Sequence, residues 1–299
     1  MTNSPNTLTL VAAEGALQGA LWERCSALIA THAAVDGPPS WLAPDTACDW
    51  PLRAAPDEAL APALDALGID HALHRAGEQR RKRALIADMD STVVQSETLD
   101  ELAGEAGIKD RIAAITARSM AGELDFAEAL IERVAALKGL EEAALERTLA
   151  KTLVMPGATQ LVRTMRAHGA TCWLVSGGFT YFTSHIAKLV GFHADRSNSL
   201  GIAEGVLTGE VGRPILDRDS KLEALHMLCQ EQGIDPASVV AVGDGANDLD
   251  MIQAAGMGVA FQAKPAVKKA ARFRVNRADL ATLLYFQGYR AEEISNDLA

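Results

Sequence analysis

Residues 84–97 read ALIADMDSTVVQSE and pass from four apolar residues to three carboxylates. The run ALIA has the length and composition of a strand that is buried on both faces. Asp88 and Asp90 follow it directly, and Glu97 lies seven residues beyond Asp90. We therefore predict a buried parallel strand with acidic side chains at its carboxyl end, which is where open α/β sheets bind their ligands.

After residue 155, short apolar runs alternate with helix-like segments. The predicted strands are TCWLVSGG (171–178), SVVAVGDG (238–245) and MGVAF (257–261), and SLGIAEGVLTGEV (199–211) has the pattern of a hairpin. The predicted helices are ATQLVRTMRAHG, YFTSHIAKLVG, SKLEALHMLCQEQG and NDLDMIQAAG. Strands that alternate with helices imply right-handed crossovers, so the expected fold class is α/β with a doubly wound, Rossmann-like parallel sheet.

Changes in composition divide the chain into three predicted domains. Residues 1–78 contain proline-rich segments, one strand (TLTLVAA) and one helix (GALWERCSALIATH), and we expect a small N-terminal α+β accessory domain. Residues 99–154 repeat apolar side chains at intervals of three and four, which predicts an all-helical insert after the first core strand. Residues 79–98 and 155–299 form the α/β core, and its basic lead-in QRRKR is interpreted as a linker.

The composition narrows the expected partners. A formal net charge of −11 argues against nucleic acid and anionic membranes, because both are bound by basic surfaces. The sequence has neither a run of ~20 apolar residues nor a signal-peptide pattern, so a cytoplasmic location is expected. The four cysteines are scattered and predict buried thiols, not a zinc site or disulfides. A small-molecule substrate is the expected partner, and a homodimer is compatible with the sequence.

Polar residues end three of the predicted strands, and parallel strands bring them to one edge of the sheet. In chain order they are Asp88 and Asp90, then Ser176, then Asp244, Asn247 and Asp248. A D-x-D pair, an S-G-G turn or a G-D-G corner is common and, taken singly, is usually structural. Their joint occurrence in this order predicts one functional site.

The carboxylates of this set suit phosphoryl transfer through a covalent intermediate. Asp88, Asp244 and the backbone carbonyl of Asp90 can bind Mg²⁺, and Asp248 can orient its waters. The free oxygen of Asp88 can attack phosphorus as the nucleophile. Asp90 can protonate the leaving alkoxide and later deprotonate the hydrolytic water.

Three further groups would stabilise the phosphoryl oxygens. The hydroxyl of Ser176 and the amide of Gly177 can donate hydrogen bonds at a strand-to-helix turn, where helix N-termini favour anions. Lys221 is the best candidate for a nearby cation, because the negative charges of Asp88 and the phosphate repel each other.

The segments DMDST, SGG, Lys221 and GDGANDLDM together resemble the four motifs of the haloacid dehalogenase superfamily of phosphatases. The likeness covers about residues 84–261, and DMDSTVVQSE with the helical insert is similar to its phosphoserine phosphatase family. It implies a helical cap inserted after the first core strand. It also implies Mg²⁺-dependent hydrolysis of O-phospho-L-serine to L-serine and phosphate, the last step of serine biosynthesis. The N-terminal segment is compatible with a diverged form of the ACT-like, amino-acid-binding domain of some members.

The resemblance also implies contacts to the substrate. Glu97 matches a glutamate that recognises the ammonium group, and Arg133 matches a cap arginine that recognises the carboxylate. Met120 and Phe126 match apolar cap residues that close over the site. The remaining implied contacts come from Ser176, Gly177, Lys221 and Asn247. From the residues alone, Arg133 on an amphipathic helix would be an ordinary solvated side chain.

Two other hypotheses use the same residues. The aspartyl-phosphate could be passed to an alcohol acceptor by a phosphotransferase, or it could be formed from another small phosphate ester. A non-catalytic amino-acid sensor on a phosphatase fold would be favoured if one of the chemical positions were replaced. All of them are present in this sequence.

Overall fold

The N-terminal part of the chain is an antiparallel sheet with two helices. The computed structural model describes residues 6–120 and 123–295 of the chain. The first elements are β1 (Asn6–Val11), α1 (Gly19–His32), β2 (Ser40–Ala43), β3 (Ala47–Leu52), α2 (Leu60–Ala66) and β4 (Asp70–Arg75). The sheet has the order β2-β3-β1-β4. The strand predicted from TLTLVAA and the helix predicted from GALWERCSALIATH are confirmed as β1 and α1.

Sequence periodicity missed the other three strands of this sheet. β2 has only four residues, and β3 contains Pro51, which usually argues against a strand. The carbonyl of Pro51 accepts a hydrogen bond from the amide of Asp36, so this residue directs its backbone groups away from β1. Proline therefore removes no donor from the ladder between β1 and β3.

A helical insert follows the strand predicted at the opening stretch. The strand is β5 (Ala84–Ala87), and the insert contains α3 (Thr98–Glu105), α4 (Lys109–Met120), α5 (Phe126–Ala135) and α6 (Ala143–Lys151). The helical prediction for this segment is confirmed. Two backbone hydrogen bonds, from Gln95 N to Leu153 O and from Met155 N to Val93 O, join the two ends of the insert at the core.

The core is a six-stranded parallel sheet whose strand order reverses beside β5. Its other elements are α7 (Ala158–Ala167), β6 (Thr171–Phe179), α8 (Thr180–Val190), β7 (Ala194–Asn198), β8 (Leu200–Ala203), β9 (Val206–Val211), α9 (Arg218–Gln232), β10 (Val239–Gly243), α10 (Leu249–Ala254), β11 (Met257–Phe261), α11 (Pro265–Ala270), β12 (Phe273–Val275) and α12 (Thr282–Phe286). The order in the sheet is β12-β11-β10-β5-β6-β7. The doubly wound α/β prediction is confirmed, and the switch in strand order lies between β5 and β10.

The predicted hairpin forms a separate two-stranded sheet, β8–β9, that supports the insert. Gly139 N donates to Leu207 O, and Leu207 N donates to Leu140 O, both at 2.8 Å. These bonds fix the segment between α5 and α6 to the core, so α5 has a defined position over the sheet edge.

The N-terminal sheet is joined to the core through β4 and β12. The carboxylate of Asp70 accepts hydrogen bonds of 2.6–3.0 Å from three consecutive backbone amides, at residues 276–278. The ring of His74 stacks on Phe273 with centroids 5.3 Å apart. In the described ranges, every helix is too short or too polar to cross a membrane.

Candidate active site

Three buried aspartates meet at the edge of the core sheet where the strand order switches. Asp88 follows β5 and Asp244 follows the neighbouring strand β10, and they are 5% and 8% exposed. Asp248 ends a short 3₁₀ turn (Ala246–Asp248) and is fully buried. One carboxylate oxygen from each residue lies within 4.8 Å of the others. The structure thus brings together the side chains that the strand ends had suggested.

Lys221 of α9 lies between two of these carboxylates. Its Nζ is 2.6 Å from Asp88 Oδ1 and 2.6 Å from Asp248 Oδ1. Burial opposes the charge of this lysine, but the charges of Asp248 and Asp88 raise the pKa of Lys221, so the ammonium persists. Asp248 Oδ2 accepts a hydrogen bond of 2.9 Å from Gly245 N, so both of its oxygens are engaged.

The three carboxylates carry more negative charge than Lys221 balances. Burial, followed by the charge of Asp248, raises the pKa of Asp88 despite the lysine. The same two causes raise the pKa of Asp244 to about 6. Within the described residues, the Asp244 carboxylate has no hydrogen-bond or ion-pair partner. A buried set of hard oxygen donors with excess negative charge fits a divalent metal ion, and this cluster could bind one.

Asp90 is turned back toward the same edge by a tight turn, Met89–Val93, in which Ser91 has a left-handed φ of 55°. Asp90 Oδ1 accepts a hydrogen bond of 2.8 Å from Thr98 N, the first residue of α3. Asp90 Oδ2 accepts one of 3.2 Å from Ser176 Oγ. Burial, followed by the charge of Glu97, raises the pKa of Asp90 to about 6. Its carboxyl group can therefore exchange a proton near neutral pH.

The position of Ser176 differs from the prediction. β6 does not end there but continues to Phe179, with irregular pairing to β7 between Val175 and Phe179, and α8 begins only at Thr180. The prediction of a strand-to-helix turn at Ser176 is therefore wrong. The amide of Gly178 donates to Ser176 Oγ at 2.8 Å, which leaves the hydroxyl proton for Asp90.

The two glycines after Ser176 permit close approaches from both sides. A Cβ atom at position 177 would lie 3.0 Å from Cζ of Phe126, a residue of the insert. A Cβ atom at position 178 would lie 3.0 Å from Asp90 Oδ2. Side chains at these positions would push the insert and the Asp90 carboxylate out of place.

These residues line one cavity of about 130 Å³ between the sheet edge and the insert. Its lining includes nine of the residues singled out in the sequence: Asp88, Asp90, Glu97, Phe126, Arg133, Ser176, Gly177, Asp244 and Asn247. Lys221 and Asp248 lie behind Asp88, in contact with each other. The side chain of Met120 lies outside the described residues.

Glu97 and Arg133 face the cavity from the insert side. Ser91 Oγ donates to Glu97 Oε1 at 2.7 Å and fixes this carboxylate. Burial lowers the pKa of Arg133, while the charges of Asp100 and Glu97 act in the opposite direction. Arg133 is half-buried in the cavity wall and is not the solvated side chain that its helix pattern alone suggests.

Sequence reasoning missed Lys264, Leu99 and Leu130, which also line the cavity. Lys264 follows β11, and its amide donates to the carbonyl of Asp244 at 3.0 Å. The same attention to strand ends could have found it, because MGVAF is followed by QAK. The two leucines gave no signal, since apolar residues on helices normally fill a core.

Comparisons with known proteins identify the family of the chain. A family model, "Hydrolase: haloacid dehalogenase-like hydrolase", matches residues 82–256. The chain is 43% identical over 245 residues to a phosphoserine phosphatase of Streptomyces coelicolor, covering 82% of this chain and 59% of that protein. The chain spans between 53% and 59% of the length of the first three curated relatives that it matches.

Two solved structures extend the comparison. An unliganded probable phosphoserine phosphatase from Vibrio cholerae superposes with a TM-score of 0.82 at 30% identity, covering 97% of this chain and 88% of that one. A structure described as a phospho-aspartyl intermediate analogue of phosphoserine phosphatase has a TM-score of 0.64 at 35% identity. It covers 69% of this chain and 99% of its own.

Proposed function

The chain belongs to the haloacid dehalogenase-like hydrolases, and from this we propose that it hydrolyses O-phospho-L-serine to L-serine and phosphate. The observation that carries the proposal is one cavity that joins Asp88 and Asp90 to Glu97 and Arg133. An anionic and a cationic side chain beside a nucleophile and an acid are complementary to an amino acid that carries a phosphate ester. The relatives named phosphoserine phosphatase support the same substrate and a place at the end of serine biosynthesis.

Asp88 is the proposed nucleophile. Lys221 holds its Oδ1 at 2.6 Å, whereas Oδ2 has no hydrogen-bond partner in the described part of the chain. Oδ2 would attack phosphorus and form a phospho-aspartyl intermediate. The buried ammonium of Lys221 offsets the repulsion between this carboxylate and the incoming phosphate.

Asp90 is the proposed acid and base. Its carboxyl proton would pass to the serine oxygen as the bond from that oxygen to phosphorus breaks and the bond from Asp88 forms. The resulting carboxylate would then take a proton from water as the water oxygen bonds to phosphorus and Asp88 is released. A pKa raised to about 6 suits both directions of transfer.

Mg²⁺ is the proposed cofactor, held by Asp88, Asp244 and the backbone carbonyl of Asp90. Asp248 is placed outside these ligands, because Lys221 and the amide of Gly245 already occupy its two oxygens. When bound, the ion would neutralise charge on the phosphoryl group and orient it for in-line attack.

The insert would act as a cap that selects the substrate. Arg133 would pair with the substrate carboxylate and Glu97 with its ammonium group, while Phe126, Leu99 and Leu130 form the apolar wall. We accordingly propose the division into a core (79–98 and 155–299), a cap (99–154) and an accessory domain (1–78).

Phosphate release from L-phosphoserine with Mg²⁺ tests the proposal, with Asp88→Asn as the inactive reference. O-phosphoethanolamine lacks the carboxylate, and 3-phosphonooxypropionate lacks the ammonium group. The wild-type protein should prefer phosphoserine over each by about 100-fold or more in kcat/KM, because an absent group leaves Arg133 or Glu97 in the cavity wall without its partner.

The two recognition variants should lose this preference selectively. Arg133→Met should discriminate poorly against phosphoethanolamine only, and Glu97→Gln poorly against 3-phosphonooxypropionate only. A higher kcat/KM of the wild-type protein on another phosphate ester would show that this ester, and not phosphoserine, is the substrate. Transfer of the phosphoryl group to an added alcohol would indicate a phosphotransferase, and turnover by Asp88→Asn would exclude the mechanism.

A further inference from the structure

Asp90 is held by donors from two different parts of the fold. Ser176 Oγ, on the core strand β6, donates to Oδ2 at 3.2 Å. The backbone amide of Thr98, the first residue of α3, donates to Oδ1 at 2.8 Å. One of the two bonds that orient the proposed acid therefore comes from the start of α3, the helix that leads into the insert, and not from the core sheet.

We propose that the backbone amide of Thr98 is a positioning group that aims the carboxyl of Asp90, so that proton transfer requires the first insert helix to be seated. The inference rests on the proposed function, because it assigns Asp90 the acid and base roles given above. It concerns the amide and not the threonine side chain.

The geometry of the helix start explains why an amide can serve this purpose. The first amides of an α-helix have no acceptor within the helix, so the N–H of Thr98 is free to bind another group. Glu97 precedes it in an extended conformation (φ −89°, ψ 106°), and the N–H of Thr98 donates to Asp90 Oδ1 in the preceding turn. A helix N-terminus also favours a negatively charged partner.

The position of α3 is in turn set by the segment that precedes it and by the packing of Leu102. Ser91 N donates to Ser96 O, and Gln95 N donates to Leu153 O, so the segment between Asp90 and α3 is closed by hydrogen bonds. Leu102 of α3 is fully buried in the main core cluster. A displacement of α3 from this seat removes the donor from Asp90 Oδ1 and leaves the carboxyl with Ser176 alone.

The test is Thr98→Pro, which deletes the amide proton at a position where a helix accepts proline. The first helical residue is a favoured site for proline, and the extended backbone of Glu97 is the conformation that a following proline requires. Thr98→Val is the matched control, because it keeps the amide and removes the hydroxyl.

The expected kcat for phosphoserine in Thr98→Pro is about 10- to 100-fold below that of Thr98→Val, since a positioned acid contributes ~10²–10⁴-fold. KM should agree between the two variants within about threefold, because the groups that would bind the substrate are unchanged. Equal kcat values, or a loss that appears mainly in KM, would overturn the inference. Circular dichroism melts report whether the proline variant is folded.

An NMR measurement tests the contact between the Thr98 amide and Asp90 without the proline variant. In protein labelled with ¹⁵N-threonine, the peak absent from Thr98→Val identifies the Thr98 amide. Asp90→Asn should move this peak upfield by more than the other threonine amides, because an amide proton loses its charged acceptor. An unshifted peak would contradict the contact. If the wild-type protein releases no phosphate from phosphoserine, the proposed function fails, while this measurement still decides whether Thr98 positions Asp90.

Discussion

Replacing Lys221 by methionine should separate the stability of the site from its chemistry. Methionine has a similar length but lacks the charge and the N–H donors, so Asp88 and Asp248 lose an ammonium group that lies 2.6 Å from each. Lys221 is 2% exposed, and water therefore cannot replace it. Breaking a buried ion pair by removing one partner costs about 3–5 kcal/mol, and we expect a loss of this size in the free energy of unfolding.

Urea unfolding at pH 7 with a chelator present measures the effect, because a bound divalent ion would mask the missing charge. Adding Asp248→Asn to Lys221→Met should recover about 1–3 kcal/mol, since it removes one of the two unpaired charges. Phosphatase activity should be lost in both variants. Lys109→Met is the control: its pair with Glu101 is exposed and should contribute about 1 kcal/mol or less. A Lys221→Met protein as stable as this control would refute the reasoning.

Three other predictions concern His74, Gly178 and Lys264. Burial and the charge of Arg80 lower the pKa of His74 to about 3, so the neutral side chain contributes stability that is complete above pH 6.5 and falls toward pH 3. At pH 4.5 this loss is about 3 kcal/mol, and urea midpoints of His74→Leu should lack it. Gly178→Ala should lower kcat about tenfold with little change in KM, because the new Cβ would lie 3.0 Å from Asp90 Oδ2. Lys264→Ala should raise KM for phosphoserine about 3- to 10-fold at low ionic strength and less at high salt. Replacing the exposed Lys269 by alanine should leave KM unchanged at both ionic strengths.

The sequence was most informative where local pattern and chemistry coincide. The parallel core could be predicted because β5, β10 and β11 are short, wholly buried apolar runs that do not resemble surface helices. The acids at the ends of β5 and β10 followed from the rule for ligand sites in open sheets. β3 was not predictable, because the acceptability of Pro51 depends on a distant partner, the amide of Asp36.

The contacts that orient the site could not be predicted from local sequence patterns either. Ser176 lies inside an irregular stretch of β6, and only its pairing with β7 shows that the strand continues to Phe179. The bond from the Thr98 amide to Asp90 joins residues eight apart through a left-handed turn at Ser91, which serine seldom adopts. Such contacts depend on tertiary structure, so composition and periodicity carry no trace of them.

The charge of the site indicates how metal and substrate depend on each other. The site contains five carboxylates and three cationic side chains, so its formal charge is −2. The carboxylates are those of Asp88, Asp90, Glu97, Asp244 and Asp248, and the cations are Arg133, Lys221 and Lys264. A phosphate monoester brings about two more negative charges into the same cavity, where burial strengthens their repulsion. The side chains alone are therefore poorly matched to the phosphate, whereas Glu97 and Arg133 have the charges that the proposed amino-acid substrate requires. A divalent cation in the cluster would remove most of this mismatch, so we expect phosphoserine to bind appreciably only when the metal site is filled.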